Sequence, residues 1–323
     1  MKIFWGDPHL NLSKRISQAF NALGHTIVLP SPEYKITHYG FTRPDWIWST
    51  AWSKDFCKKH IKYGNYLSLN KEEILDLKPD LLFVSCFENQ FEIIHELLPK
   101  LPKSTKLAFY SGNQYSAPCS YPFYLCRNYL YTDNNAEQEV KRYNISNSLK
   151  YRVFTPYDIF TYKPHTNSQL TVGNYTCNFE KDWNDAFKFH KNCETACPEV
   201  KFNYNSTLSE SEVASSMAET IATTSFKNLE GFGLSQIESM ARGRPVFLVR
   251  QFAQDKSYTE WSIEGETAFY VSSVQEFRAK LKALIESKDY RNWVHFNCAQ
   301  KIRQYINNEE ECIKLGNFLE NLQ

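Results

Sequence analysis

The opening thirty residues alternate strand, helix and strand, an order that leaves few architectures open. Lys2-Ile3-Phe4-Trp5 reads as a short strand broken by Gly6-Asp7-Pro8. Leu12, Ile16, Ala19, Phe20 and Leu23 then recur at helical spacing, Gly24 ends the run, and Thr26-Ile27-Val28-Leu29 resumes as a strand. Two strands joined so closely through a helix lie parallel in one sheet. The stretch from Asp80 to Ser85 (DLLFVS) is the continuous apolar run of a buried parallel strand. Phe91 to Leu98 is a short helix ended by Pro99, and Leu107–Tyr110, Tyr129–Tyr131 and Tyr151–Phe154 read as further strands. Residues 1–155 are expected to form one open α/β sheet.

Between Thr155 and Asn167 the periodicity stops around Pro156 and Pro164, which marks an interdomain linker. A second alternation follows, with strands expected at 169–173, 200–204, 220–224 and 245–249 and helices at 182–193, 209–218 and 233–242. From Ser273 onward the pattern is mostly helical. The 323 residues suit two domains of ~150 residues. Tandem α/β domains with ligand-binding loops at their strand ends predict a cleft between them.

Composition narrows the function classes. Lys plus Arg number 37 against 36 Asp plus Glu, so a net charge of +1 gives no broad attraction for nucleic acid. Apolar residues make up 42%, and 23 Phe, 20 Tyr and 7 Trp add enough bulk to exclude wholesale disorder. No apolar run approaches the ~20 residues of a bilayer span, and the N-terminus turns polar too soon for a signal peptide. Nine scattered cysteines fit thiols in a reducing compartment. The chain reads as soluble and cytoplasmic, which makes the sequons at Asn11, Asn144, Asn174 and Asn205 chance matches.

The chemistry concentrates after the strand expected at 220–224, in Glu230-Gly231-Phe232-Gly233-Leu234-Ser235-Gln236-Ile237-Glu238. Its glycines allow a sharp turn and close approach of a ligand to the backbone. The helix that follows opens with unpaired amides and a positive dipole end, a ready site for a diphosphate. Glu238, in the second turn, can accept two hydrogen bonds from a vicinal diol such as a ribose, and Glu230 can do likewise for hydroxyls farther out. Read alone, the segment also fits a plain glycine-punctuated loop with solvated glutamates.

The full stretch from Glu230 to Val246, EGFGLSQIESMARGRPV, closely resembles the donor-binding signature of retaining GT-B glycosyltransferases of family 4. Ser239 departs from it, standing where alanine is usual. Weaker likenesses to the same family occur at Gly24-His25-Thr26-Ile27-Val28, in the linker from Pro156 to Pro164, at Leu170-Thr171-Val172-Gly173 and from Glu264 to Val271. The resemblance implies a GT-B fold of two Rossmann-like domains facing a central cleft. Residues 1–160 would form the acceptor side, 161–300 the nucleotide-sugar side, and 301–323 a helix crossing back to the first domain.

It further implies transfer of a sugar from a nucleotide-sugar to a glycan or other cellular acceptor, with retained anomeric configuration. Glu238 would hold the ribose and Glu230 the donor sugar, while the amides of Phe232, Gly233 and Leu234 cap the diphosphate beside Gly173. Lys181 falls near the family's diphosphate lysine, but Asn174 occupies the place of its arginine, for which Arg242, Arg244 or Lys227 are possible substitutes. Only one strand, 200–204, fits between the Lys181 region and the strand before the signature, where the family has another strand and helix, so the domain looks trimmed. No metal and no resident cofactor are expected, since amides and a cation replace the ion.

On the acceptor side, His9 follows the first strand, where it reads as a surface histidine before a group that positions acceptor or sugar, and Asn113 follows another strand, where the resembled family often has a histidine and an acid. Aromatic clusters at 44–52 and 115–131 suit a stacked sugar or base, or simply the core. His190, Cys193 and Cys197 share a helical face, yet the paired spacing of a zinc site is missing, and these cysteines read as buried hydrophobes. Two further functions remain: the same transfer onto a DNA base, against which the neutral charge argues, and a non-catalytic nucleotide-sugar scaffold.

Overall fold

A computed structural model describes residues 1–6, 10–31, 65–85, 88–111, 126–153, 162–176, 179–204, 210–228, 230, 232–253 and 256–323. These form two compact units, one of residues 1–155 with 308–323 and the other of residues 156–307. Each is an α/β unit with a parallel sheet.

In the first unit, β1 (Lys2–Trp5) leads through α1 (Leu10–Ala22) to β2 (Thr26–Pro30). Then come β3 (Tyr66–Leu69), α2 (Lys71–Leu77), β4 (Leu81–Ser85), α3 (Glu88–Leu97), β5 (Lys106–Ser111), β6 (Asn128–Tyr131), α4 (Asn134–Tyr143) and β7 (Asn147–Lys150). The sheet order is β3-β2-β1-β4-β5-β6-β7, with Phe4 level with Val28 on one side and Leu82 on the other. Alternate side chains face opposite ways. Phe4, Leu82 and Val84 thus pack with Ile93, Ile94 and Leu97 of α3. Trp5 instead meets Phe20 of α1, Phe83 and Tyr110 at ring separations of 6.2, 5.1 and 5.3 Å.

The structure departs from the sequence expectation at β3, α2 and β7. β3 and α2 carry a weak hydrophobic signal because β3 is an edge strand, although Asn70 and Glu73 close a capping box that starts α2. The strand expected at Tyr151–Phe154 lies earlier, at the half-buried polar residues Asn147–Lys150. An edge strand needs its ladder more than apolar residues, and Tyr151 only ends that ladder, its amide donating to the Tyr131 carbonyl at 2.7 Å.

The second unit runs β8 (Thr171–Asn174), α5 (Phe179–Asp182), α6 (Asn184–Ala196), β9 (Lys201–Tyr204), α7 (Glu210–Glu219), β10 (Ala222–Ser225), α8 (Leu234–Ala241), β11 (Val246–Val249), α9 (Arg250–Ala253), β12 (Ala268–Val271), α10 (Val274–Glu286) and α11 (Lys288–Tyr305). Its sheet order is β12-β11-β10-β8-β9. Among the described residues β9 is the single strand between β8 and β10 in sequence. Val172, Phe202, Phe247 and Phe269 pack beneath Phe277, Leu281 and Leu284 of α10 and Cys193 of α6. No helix among the described residues is long and apolar enough to cross a membrane.

A last helix, α12 (Asn308–Glu320), packs in the first unit against β7 and α1, with Phe318 6.2 Å from Phe83. Asn128, fully buried, fastens the segment behind it. Its Nδ2 donates to the carbonyls of Leu107 (2.8 Å) and Gln323 (3.1 Å), and its Oδ1 accepts from the Gln323 amide and Asn147 Nδ2, each at 3.0 Å. Truncating such a hub strands buried partners, at a cost of ~1–3 kcal/mol. Asn128→Ala is therefore expected to lower the urea midpoint of the first unit, whereas a substitution at exposed Lys103 leaves it in place.

Candidate nucleotide-sugar site

The strand order of the second unit singles out one place. Counted in sequence, its five strands stand 2-1-3-4-5, so the chain leaves β8 in one direction and β10 in the other. Right-handed crossovers then send the following helices to opposite faces. α6, after β8, packs with α10, whereas α8, after β10, packs with α7 and α11. Ligands of open α/β sheets bind outside the carboxyl ends of the strands at such a switch point.

Every residue of β10 is buried, and its hydroxyls tie the strand ends together. Thr223 Oγ1 lies 2.7 Å from Ser239 Oγ, which donates to the Arg244 carbonyl at 2.9 Å. The departure from alanine at Ser239 thus stitches α8 to β10. Ser225 Oγ accepts from Gln236 Nε2 at 3.1 Å. Beyond Ser225 the chain passes Phe226, buried in the core, then Lys227 and Glu230, which form an ion pair. Phe232 is buried against Trp261 at 5.0 Å. Gly231 lies outside the described residues.

Gly233 turns the chain into α8 with φ +75°, in the left-handed region that side chains resist, and a Cβ there would sit 2.8 Å from Gln236. Its carbonyl accepts the amides of Gln236 (3.0 Å) and Ile237 (3.1 Å). The first amides of α8, at Leu234 and Ser235, have no intrahelical acceptor by helix geometry. They open at the carboxyl end of β10, where a diphosphate can accept from them. Glu238 is half-buried in the next turn, and its carbonyl accepts from Arg242 Nη1 at 2.8 Å.

Across the switch point, Gly173 sits in β8 under the Tyr175 ring, which a Cβ would meet at 2.7 Å. Asn174 is only 1% exposed and turned into the sheet. Its Nδ2 donates to Thr224 Oγ1 (3.0 Å) and the Thr224 carbonyl (3.3 Å), and its Oδ1 accepts the Thr176 amide at 3.0 Å. Thr224 Oγ1 in turn meets His190 Nδ1 at 3.0 Å. The backbone of Lys181 lies in α5, which follows the β8 loop; its side chain, like all of His9 and Asn113, lies outside the described residues. The aromatic clusters fall largely there too, apart from the buried strand residues Tyr129 and Tyr131.

The structure sorts the cations offered in place of arginine at 174. Arg242 and Arg244 stand at the far end of α8. Arg244 is fully buried and donates to the carbonyls of Arg242, Lys163 and Ala218. Lys227 is at the near end, with Nζ over the Trp183 ring 5.6 Å from its centroid. Sequence reasoning missed the Asn174–Thr224–His190 chain and the Trp183 contact, because both join residues far apart in the chain. The i, i+3 spacing of Lys227 and Glu230 was the one local signal for their pair.

His190 is ringed by Phe179, Phe202, Tyr204 and Phe226 at 4.9–5.7 Å, and burial pushes its pKa down to about 3. Burial likewise raises the Cys193 and Cys197 thiols to about 12 and about 11. Among the described residues no three metal-ligating side chains come together.

No family model matches the chain, and no curated protein matches it by sequence. Solved structures match over its whole length. HepE (Alr3699) of Anabaena, in complex with UDP, superposes with a TM-score of 0.67 at 11% identity, covering 100% of both chains. A glycosyltransferase from Rickettsia africae ESF-5 gives 0.66 at 10% identity over 99% of this chain and 98% of its own. Sucrose-phosphate synthase (tll1590) from Thermosynechococcus elongatus gives 0.64 at 9% identity, with 99% and 98% covered. The fold is GT-B. At these identities the likeness speaks for architecture, and the function rests on the site.

Two outcomes follow from this geometry. Gly233→Ala forces a side chain into a left-handed conformation, and is expected to cost ~1–3 kcal/mol of the second unit's stability in denaturant titration. Acid is expected to destabilise the same unit. His295 is also held near 3, by burial and then by Arg244, and His165 is lowered for the same reasons. The unfolded chain binds protons below its ordinary imidazole pKa of ~6.5 while the folded one does not. Stability is thus full above that pH and declines as pH falls toward 3, by ~1.4 kcal/mol per unit for each fully depressed histidine. Melting followed from pH 7 to 5 should show the loss, with a shallower slope in His190→Gln.

Proposed function

We propose that the protein is a retaining glycosyltransferase that moves a sugar from a nucleotide-sugar to a glycan or other cellular acceptor. The carrying observation is the Glu230-to-Glu238 segment at the switch point of the second sheet, with the opening amides of α8 at the carboxyl end of β10. HepE, with the same fold, is described with UDP and with UDP-glucose, which supports a nucleotide-sugar as the co-substrate. The resemblance of residues 230–246 to the family 4 signature supports retention.

In this reading Glu238 accepts from the ribose hydroxyls and Glu230 from hydroxyls of the donor sugar. The bond between the anomeric carbon and the diphosphate oxygen breaks while the acceptor oxygen bonds to that carbon on the same face. The acceptor proton passes to the departing diphosphate, so no protein base is required. The amides of Phe232, Gly233 and Leu234, together with Lys181, stabilise the charge growing on the leaving group, in place of a metal. His9 and Asn113 are proposed to face the acceptor. A nucleotide-sugar binder without transfer is the second reading, favoured by the commitment of Asn174 to the sheet.

A thermal-shift screen with UDP, GDP, ADP and dTDP sugars tests the reading. Ligand at a hundredfold excess over its dissociation constant adds ~2.7 kcal/mol to a native state that alone binds it. One nucleotide class is expected to raise the melting temperature, and Glu238→Ala to abolish the rise. Release of free sugar from that donor marks the enzyme, and binding with neither transfer nor hydrolysis marks the second reading. No shift with any donor overturns both.

A further inference from the structure

We infer that Lys227 is a second cation, beside Lys181, that receives the donor's diphosphate in this protein, and that Glu230 holds it in place until the donor arrives. The inference rests on the nucleotide-sugar reading and adds a residue that the signature does not contain. The leaving diphosphate needs positive charge beyond that of Lys181 on the β8 side of the switch point, and Asn174 supplies none. Its amide is spent on Thr224 and the Thr176 amide, and at 1% exposure it has no route to a ligand. Arg242 and Arg244 are equally unavailable, since both serve carbonyls at or beyond the far end of α8.

Lys227 has the right placement. It lies two residues beyond the end of β10, and its ammonium contacts two different connections. On its own loop it pairs with Glu230, and on the connection that follows β8 it rests over Trp183, which separates α5 from α6. The charge therefore bridges the two loops that flank the switch point. Glu230 precedes Gly233 by three residues, so their Cα atoms are within ~11 Å, inside the span of a lysine side chain plus a diphosphate.

Both side chains of the pair are about four-fifths buried, at 18% and 19% exposure. The Trp183 face holds the ammonium by its ring quadrupole and keeps it oriented. When a diphosphate occupies the α8 amides it competes with the Glu230 carboxylate for that ammonium, and a doubly charged acceptor wins. Glu230 is then free to accept from the sugar hydroxyls. One ion pair thus couples diphosphate binding to the exposure of the sugar-binding carboxylate.

The test compares UDP, GDP, ADP and dTDP with their parent nucleosides by calorimetric titration, in wild type, Lys227→Gln, Lys227→Arg and Glu230→Gln. Lys227→Gln is expected to weaken the preferred diphosphate about tenfold or more while leaving the nucleoside unchanged, and Lys227→Arg to recover most of the loss. Glu230→Gln should bind the bare diphosphate at least as tightly as wild type, because the competing carboxylate is gone, a result that a purely structural ion pair would not give. Unliganded melting curves identify any variant that fails to fold, in which case Lys227→Arg and Glu230→Gln carry the comparison. Equal diphosphate affinity in wild type and a folded Lys227→Gln overturns the inference and leaves the nucleotide-sugar reading standing. Absence of binding by wild type overturns that reading itself.

Discussion

The parallel pairing of β8 with β10 is the constraint on which the candidate site depends. Neighbouring strands whose crossovers run in opposite directions must send their helices to opposite faces, and the backbone at their carboxyl ends is left uncovered. Into that gap the chain directs the amides of α8, the Glu230 loop and the connection that carries Trp183. None of these elements is long or strongly amphipathic. The sheet, packed on one face by Phe277, Leu281 and Leu284 of α10 and on the other by α8, sets their positions to a degree that local propensity would not.

Around this gap several polar side chains are used up by the fold. Asn174, Thr224 and His190 form a buried chain of hydrogen bonds, and Ser239 links Thr223 to the Arg244 carbonyl. Buried polar groups must be paired, so each of these residues is held by its neighbours. Arg244 shows the same economy: its two terminal guanidinium nitrogens donate to backbone carbonyls from three segments. At the switch point itself lie the Lys227–Glu230 ion pair and the half-buried Glu238 of α8.

Much of the architecture was legible in the order of elements. The alternation of short apolar strands with helices specified two parallel α/β sheets, because connections that short and right-handed admit little else. Edge strands were less legible. β3 and β7 are half-polar and paired on one side only, so their sequences carry neither the apolar run of a central strand nor a clean alternation. The aromatic run that begins at Tyr151 drew the expected strand past its true end for the same reason: burial and strand pairing are different demands, and Tyr151 meets only the first.

The site divides along a similar line. By itself the sequence determined the Glu230-to-Glu238 segment, its glycine-led helix start and the spacing of its two carboxylates, because these are consecutive residues governed by local geometry. Only the tertiary structure decided that Asn174 is consumed by Thr224, that Arg244 is buried at the wrong end of α8, and that Lys227 lies between the two connections flanking the switch point. Those outcomes depend on which strands become neighbours, and contacts between residues more than forty positions apart leave no periodic trace in the chain that makes them.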